Sequence, residues 1–224
     1  MKGIKIEFEG TDGAGKTTAL KYFIDQARAK GLTVVETREV GNPNVHACVE
    51  MRKVVLDPSS NLSGPAMELL FSAMRIENQR WQDNLMASDE APNLIVSDRG
   101  YLSHLAYTDH NVDETFTSDL YQNFMENYSD LPDAVIYFKI STENAAKRIK
   151  GRGTSDVIEA KGPGFQDLVR GSFEKYINQY NEQFLVYEVD ANETIEGVQD
   201  QLDEILNDLL DYGVNSNQKL SQAI

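Results

Sequence analysis

Cysteine is nearly absent from this chain: Cys48 stands alone among 224 residues. An internal disulfide framework is therefore excluded, and a reducing compartment is the expectation. Histidine is scarce as well. His46, His104 and His110 are spaced neither as metal ligands nor as base and nucleophile, so they read as incidental. Long apolar runs are missing, and no stretch approaches the roughly 18 apolar residues of a spanning helix. Basic residues form the last deficit. With 21 Lys and Arg against 36 Asp and Glu, the net charge is −15. That excludes a broad nucleic-acid-binding face. It leaves room for an anionic small molecule held by a few arginines in a cleft. Residues 1–5 run straight into a strand without the apolar core of a secretory leader, which gives the expectation of a cytoplasmic protein, or host-cytoplasmic for a viral source.

What is present is an ordinary globular balance, 41% hydrophobic and 25% charged. Apolar runs at Ile4–Phe8, Thr33–Glu36, Leu94–Val96, Ala134–Phe138 and Phe184–Tyr187 read as five strands. Several are continuous, as strands covered on both faces should be. Helical periodicity lies between them: Ala19, Leu20, Phe23, Ile24 and Ala27 share one face, as do Ile195, Val198, Leu202, Ile205, Leu206 and Leu209. Pro65 to about Ser88 reads as one long helix. Alternating strands and helices predict an α/β fold, a three-layer α/β/α sandwich on a five-stranded parallel sheet. We read residues 1–212 as a single domain and 213–224 as a polar tail. Residues 151–164, rich in glycine, read as a mobile lid.

The sharpest motif is Gly10-Thr11-Asp12-Gly13-Ala14-Gly15-Lys16-Thr17, which satisfies G-x-x-x-x-G-K-[ST] in full between a strand and an amphipathic helix. Glycines at 10, 13 and 15 permit the dihedrals that turn backbone N–H groups inward, Ala14 included, and the helix that follows adds its positive end. Lys16 is expected on the β/γ-phosphates of a nucleoside triphosphate, Thr17 on Mg²⁺, and Thr18 beside them. A P-loop alone leaves kinases, switches and motors open. No Asn-Lys-x-Asp segment for reading guanine occurs. A short chain with a closing lid favours a small-molecule phosphotransferase, because the lid would exclude water from the transferring group.

Five segments extend the reading: FEGTDGAGKTT (8–18), TRE (37–39), LLFSAMR (69–75), DRGYLSHLAYT (98–108) and LPDAVIYF (131–138). In order and spacing they resemble thymidylate kinases, over about residues 4–189. The resemblance implies phosphorylation of dTMP to dTDP with ATP and Mg²⁺, in a family whose members usually dimerise. It implies Phe71 stacking on thymine and Arg75, one turn along, donating to a thymine carbonyl. Arg38 and Arg99 would hold the acceptor phosphate. Asp98 resembles a Walker-B aspartate that acts with Thr17 on the metal, through water, or orients the phosphate. Asp12 would accept from the sugar 3′-OH and stand near the transferring phosphoryl. Ser103 and Thr108 would lie near the base edge and Tyr107 under the deoxyribose. Arg148 would pack on adenine. Positions 11–14 hold no base, so Arg152 of the lid is the expected contact to the transition state. Each of these also has a plainer reading, as a core aromatic, a surface ion pair, a helix cap or a solvated loop acid, which the motif context outweighs.

Three departures from the family pattern bear on acceptor choice. The run after Arg38-Glu39 is Val40-Gly41-Asn42-Pro43, a lid arginine is replaced by Val157, and Gly100 stands where tyrosine or histidine is usual. The expectation from Gly100 is open space near the acceptor. The rival reading is a deoxynucleoside monophosphate kinase of other or broad base choice. A nucleotide-gated binding module with little turnover is the reading from a different class.

Overall fold

A computed structural model describes residues 3–110, 131–152 and 162–221, the side chains of 152 and 212–221 excepted. Five strands form one parallel sheet: β1 Ile4–Glu9, β2 Val34–Arg38, β3 Leu94–Asp98, β4 Ala134–Lys139 and β5 Leu185–Asp190. Their order is β2-β3-β1-β4-β5. Phe8 registers with Asp98 on one side and Ile136 on the other. The helices are α1 Lys16–Ala29, α2 His46–Leu56, α3 Gly64–Met86, α4 Tyr101–Thr108, α5 Thr142–Arg152, α6 Pro163–Tyr180 and α7 Ile195–Ser221. The last of these runs beyond the boundary at 212 expected from the polar tail. Among the described residues no helix is long and apolar enough to cross a membrane.

Strand alternation divides the core in two. Ile4, Ile6 and Phe8 of β1, with Ala134, Ile136 and Phe138 of β4, face α1 and α7. There Phe8 stacks on Phe138 at 5.6 Å and meets Phe23 edge-on at 5.4 Å. Val135 and Tyr137 point the other way, toward Tyr101, Leu102, Leu105, Val169 and Phe173 of α4 and α6. Both faces of β4 are buried, which is why its sequence is continuously apolar. A third, smaller cluster of Cys48, Val55 and Met74 joins α2 to α3. Cys48 is fully buried, and burial pushes its thiol up to about 11, so it has no thiolate character at neutral pH.

The chain leaves β1 toward β2 on one side and β3 toward β4 on the other. The crevice beyond the carboxyl ends of β1 and β3 is therefore the topological switch point of the sheet. The P-loop follows β1, Asp98 ends β3 and Arg99 follows it, so the motif residues meet at this one crevice.

Candidate active site

The P-loop is built by its glycines. Gly13 and Gly15 take left-handed dihedrals, φ 81° and 87°. A Cβ on Gly13 would also stand 2.6 Å from the Ala145 carbonyl oxygen of α5, so the loop packs against that helix at van der Waals distance. Lys16 opens α1 and is buried. Its Nζ donates to the carbonyls of Gly10 at 2.8 Å and Thr11 at 2.9 Å. Burial, reinforced by the nearby Arg99, brings its pKa down to about 8 against the pull of Asp12, Asp98 and Glu9.

Beside the loop lies a cavity of about 320 Å³. Asp12, Thr17, Arg38, Phe71, Asp98, Arg99, Ser103 and Tyr107, all singled out from the sequence, line it. Thr17 Oγ1 donates to Asp98 Oδ2 at 3.0 Å. A hydroxyl and a carboxylate side by side are hard oxygen donors of the kind Mg²⁺ takes, with phosphate and water completing its shell. These two side chains fit that ion.

Arg99 organises the centre. It holds φ 68°, the left-handed region that a side chain occupies only at a cost of about 1–2 kcal/mol. Its N–H donates to Phe8 O at 3.0 Å, and its guanidinium to Gly10 O at 2.9 Å and Ser103 Oγ at 3.1 Å. The same guanidinium pairs closely with Asp12 Oδ1 and lies 5.1 Å from the Tyr107 ring centroid. Asp12 Oδ2 accepts from Tyr107 Oη at 3.2 Å and Gln166 Nε2 at 3.1 Å, while its own N–H donates to Gln166 Oε1 at 3.3 Å. Burial would raise the Asp12 carboxyl, but Arg99, Lys16 and these hydrogen bonds hold it below the usual carboxylate range.

Arg75 and Thr108 stand behind the cavity wall. Arg75 is buried in an ion pair with Glu39, 5.2 Å from the Tyr101 ring centroid. Thr108 Oγ1 lies 2.8 Å from Glu68 Oε2 and 2.6 Å from the His104 carbonyl oxygen, two acceptors for its single proton. His104, read as incidental in the sequence, lines the cavity with Nε2 3.0 Å from Glu68 Oε1. Arg148 reaches across the loop from α5, donating to Ala14 O at 3.4 Å and Ala191 O at 2.8 Å. Thr18 is exposed on α1. Arg152 is the last residue of α5, and its side chain, like 153–161 of the expected lid and Val157 within it, lies outside the described residues.

A sequence profile of the family described as Thymidylate kinase matches residues 8–202. The chain belongs to the thymidylate kinase family. Curated relatives named thymidylate kinase support the assignment. One from an Exiguobacterium species is 30% identical over 220 residues, covering 98% of each chain. One from Bacillus licheniformis is 31% identical over 94% of this chain and 98% of its own. As a member of this kinase family the chain is an enzyme, a transferase that uses a nucleotide phosphoryl donor.

The thymidylate kinase motifs gave no role to two carboxylates of β1, Glu9 inside the first motif and Glu7 just before it. Glu9 Oε1 accepts from the N–H groups of Gly100 at 3.0 Å and Ser103 at 2.9 Å, and Ser103 Oγ donates to its other oxygen. Glu7 Oε2 accepts from the Tyr101 N–H at 2.8 Å. Gly100 has no side chain to cap α4, so β1 supplies two caps from below. The expectation that Gly100 opens space is overturned here. A Cβ on Gly100 would lie 2.0 Å from Glu7 Cδ, so the Glu7 carboxyl already fills that volume. The signal in the sequence was the Ile6-Glu7-Phe8-Glu9 alternation, which suggests a wet strand face yet lies in the strand at the centre of the sheet.

Glu7 is pushed up from 4.5 to about 8, first by burial, with Glu9 and Glu39 adding to it and Arg75 and the Tyr101 N–H opposing. The folded chain thus keeps a proton that the unfolded chain releases. The stability this group contributes is fully present below pH 4.5 and is lost as pH rises through about 8. Glu7→Gln cannot ionise, so its thermal midpoint should fall less than that of wild type between roughly pH 6 and 9. Parallel melts across that range check the sign; equal slopes would refute it.

Proposed function

We propose that the protein phosphorylates dTMP to dTDP with ATP and Mg²⁺ by direct in-line transfer. The observation that carries this reading is a single cavity lined by the Phe71 ring, the Arg38 and Arg99 guanidinium groups and the P-loop residues Asp12 and Thr17. An aromatic face suits a planar base, and guanidinium forks suit phosphate oxygens. The relatives' names support the thymidylate acceptor.

In this reading Lys16 and the loop N–H groups orient the donor's phosphates. Mg²⁺ on Thr17 and Asp98 would offset phosphate charge. Arg38 and Arg99 place the acceptor phosphate, and Asp12, kept ionised by its neighbours, accepts from the sugar 3′-OH. The acceptor is already an anion, so positioning and charge do the work that a strong base would do elsewhere. Arg148 packs on adenine, and Arg152, the last residue of α5, adds positive charge at the transition state. The acceptor is a small molecule and the setting cytoplasmic.

Broader base choice is the second reading, favoured by Arg75 standing behind the wall in its pair with Glu39. An ADP-release panel of dTMP, dUMP, dGMP, dCMP and dAMP separates the two. The expected result is a kcat/KM for dTMP that exceeds those for dGMP, dCMP and dAMP by at least about 100-fold, the scale that unpaired buried polar groups impose. Comparable values for several bases would establish the broader kinase instead.

A further inference from the structure

The pairing of Glu7 with Gly100 goes beyond the family's motifs. Glu7 projects from β1 toward α4, and its carboxyl group lies at 2.0 to 2.3 Å from where a Cβ on residue 100 would be. The two positions therefore compete for one volume. Gly100 lines the cavity, so the group immediately behind the wall there is the Glu7 carboxyl. That group receives the Tyr101 N–H at the first turn of α4. Arg99 immediately precedes this turn, and Ser103 and Tyr107 reach the cavity from the same helix. The charged groups facing Glu7 are Arg75 of α3, Glu39 after β2 and Glu9 on its own strand; Tyr101 faces it from α4.

We propose that Glu7 is a positioning residue for the acceptor side of the site, matched to Gly100: its carboxyl takes the place of a residue-100 side chain and fixes the start of α4. Arg99, Ser103 and Tyr107 are then set by a contact from beneath the wall. The proposal rests on reading the cavity as the acceptor site, but not on which base the acceptor carries.

The test is a double-mutant cycle on the full chain, using whichever monophosphate turns over fastest in the acceptor panel. Glu7→Ala should raise the acceptor KM about tenfold and leave the ATP KM within about twofold, as the loss of a buried acceptor that leaves the Tyr101 N–H unpaired implies. Glu7→Gln keeps an acceptor oxygen for the Tyr101 N–H and should stay within about threefold of wild type. Gly100→Ala should also raise the acceptor KM about tenfold in wild type, but less than threefold on a Glu7→Ala background, where the carboxyl is gone. Equal effects of Gly100→Ala on both backgrounds would overturn the matched pair. A fall in thermal midpoint with the acceptor KM unchanged in every variant would overturn the positioning role. Should Glu7→Ala not fold, Glu7→Gln/Gly100→Ala replaces it: the amide still fills the volume, so the penalty of Gly100→Ala must persist, and its disappearance would sink the proposal. A wrong base assignment appears in the wild-type panel alone and leaves this cycle readable.

Discussion

Lys16→Ala is expected to lose turnover by roughly 10²–10³-fold or more while the chain stays folded. Lys16 is a buried cation at the N-terminus of α1, held by two loop carbonyls. Burial depresses its pKa to about 8, so the folded state gains little from the charge, and removing it should shift the thermal midpoint only slightly. A donor's phosphates would supply the missing counter-charge, so the loss should fall on ATP binding and transfer. The same position has a pH signature. As pH rises through about 8, Lys16 gives up its proton and the ATP KM should climb. Equilibrium ATP binding, steady-state kinetics and a thermal melt check the three parts. Turnover near wild type would remove the P-loop from the mechanism.

Arg99 should be the second most damaging position, for reasons of fold and charge together. Arg99→Ala deprives the Asp12 carboxylate of its closest counter-charge, leaves Ser103 Oγ without its donor, and leaves Gly10 O with Lys16 alone. Breaking a fully buried pair costs about 3–5 kcal/mol, and this half-buried pair should cost less. The acceptor kcat/KM should fall by roughly 10²–10³-fold, the effect of losing one preorganised donor. Arg99→Lys should not rescue, because a point charge cannot reach three oxygens in a fixed fork. Arg99→Gly separates the two roles. At φ 68° glycine carries no left-handed penalty, so this variant should be about 1 kcal/mol more stable than Arg99→Ala yet no more active. If Arg99→Gly regained acceptor turnover, the guanidinium would have only a structural part.

The strands and α1 were legible because each depends on local pattern. Continuous apolar runs became β3 and β4, and the P-loop glycines demanded a turn that only a helix N-terminus completes. Phe71, Arg38, Asp98 and Arg99 were legible for another reason: they lie close to strand ends or motif centres, and strand ends converge in a parallel sheet. Gln166 had no such signal. It is an ordinary residue, the fourth of α6, made relevant only because that first turn passes Asp12. Glu39 and Arg75 are 36 residues apart, and no local pattern announces that they pair.

What the sequence by itself determined was the fold class, the phosphate-binding loop and the family, since these follow from periodicity and from motifs whose spacing is set by backbone geometry. What only the tertiary structure decided was how space and charge are shared behind the site. Gly100 suggested room, yet the room belongs to Glu7, a residue 93 positions earlier. Volume and electrostatic balance are properties of everything that meets at a point, and chain order does not record what meets there.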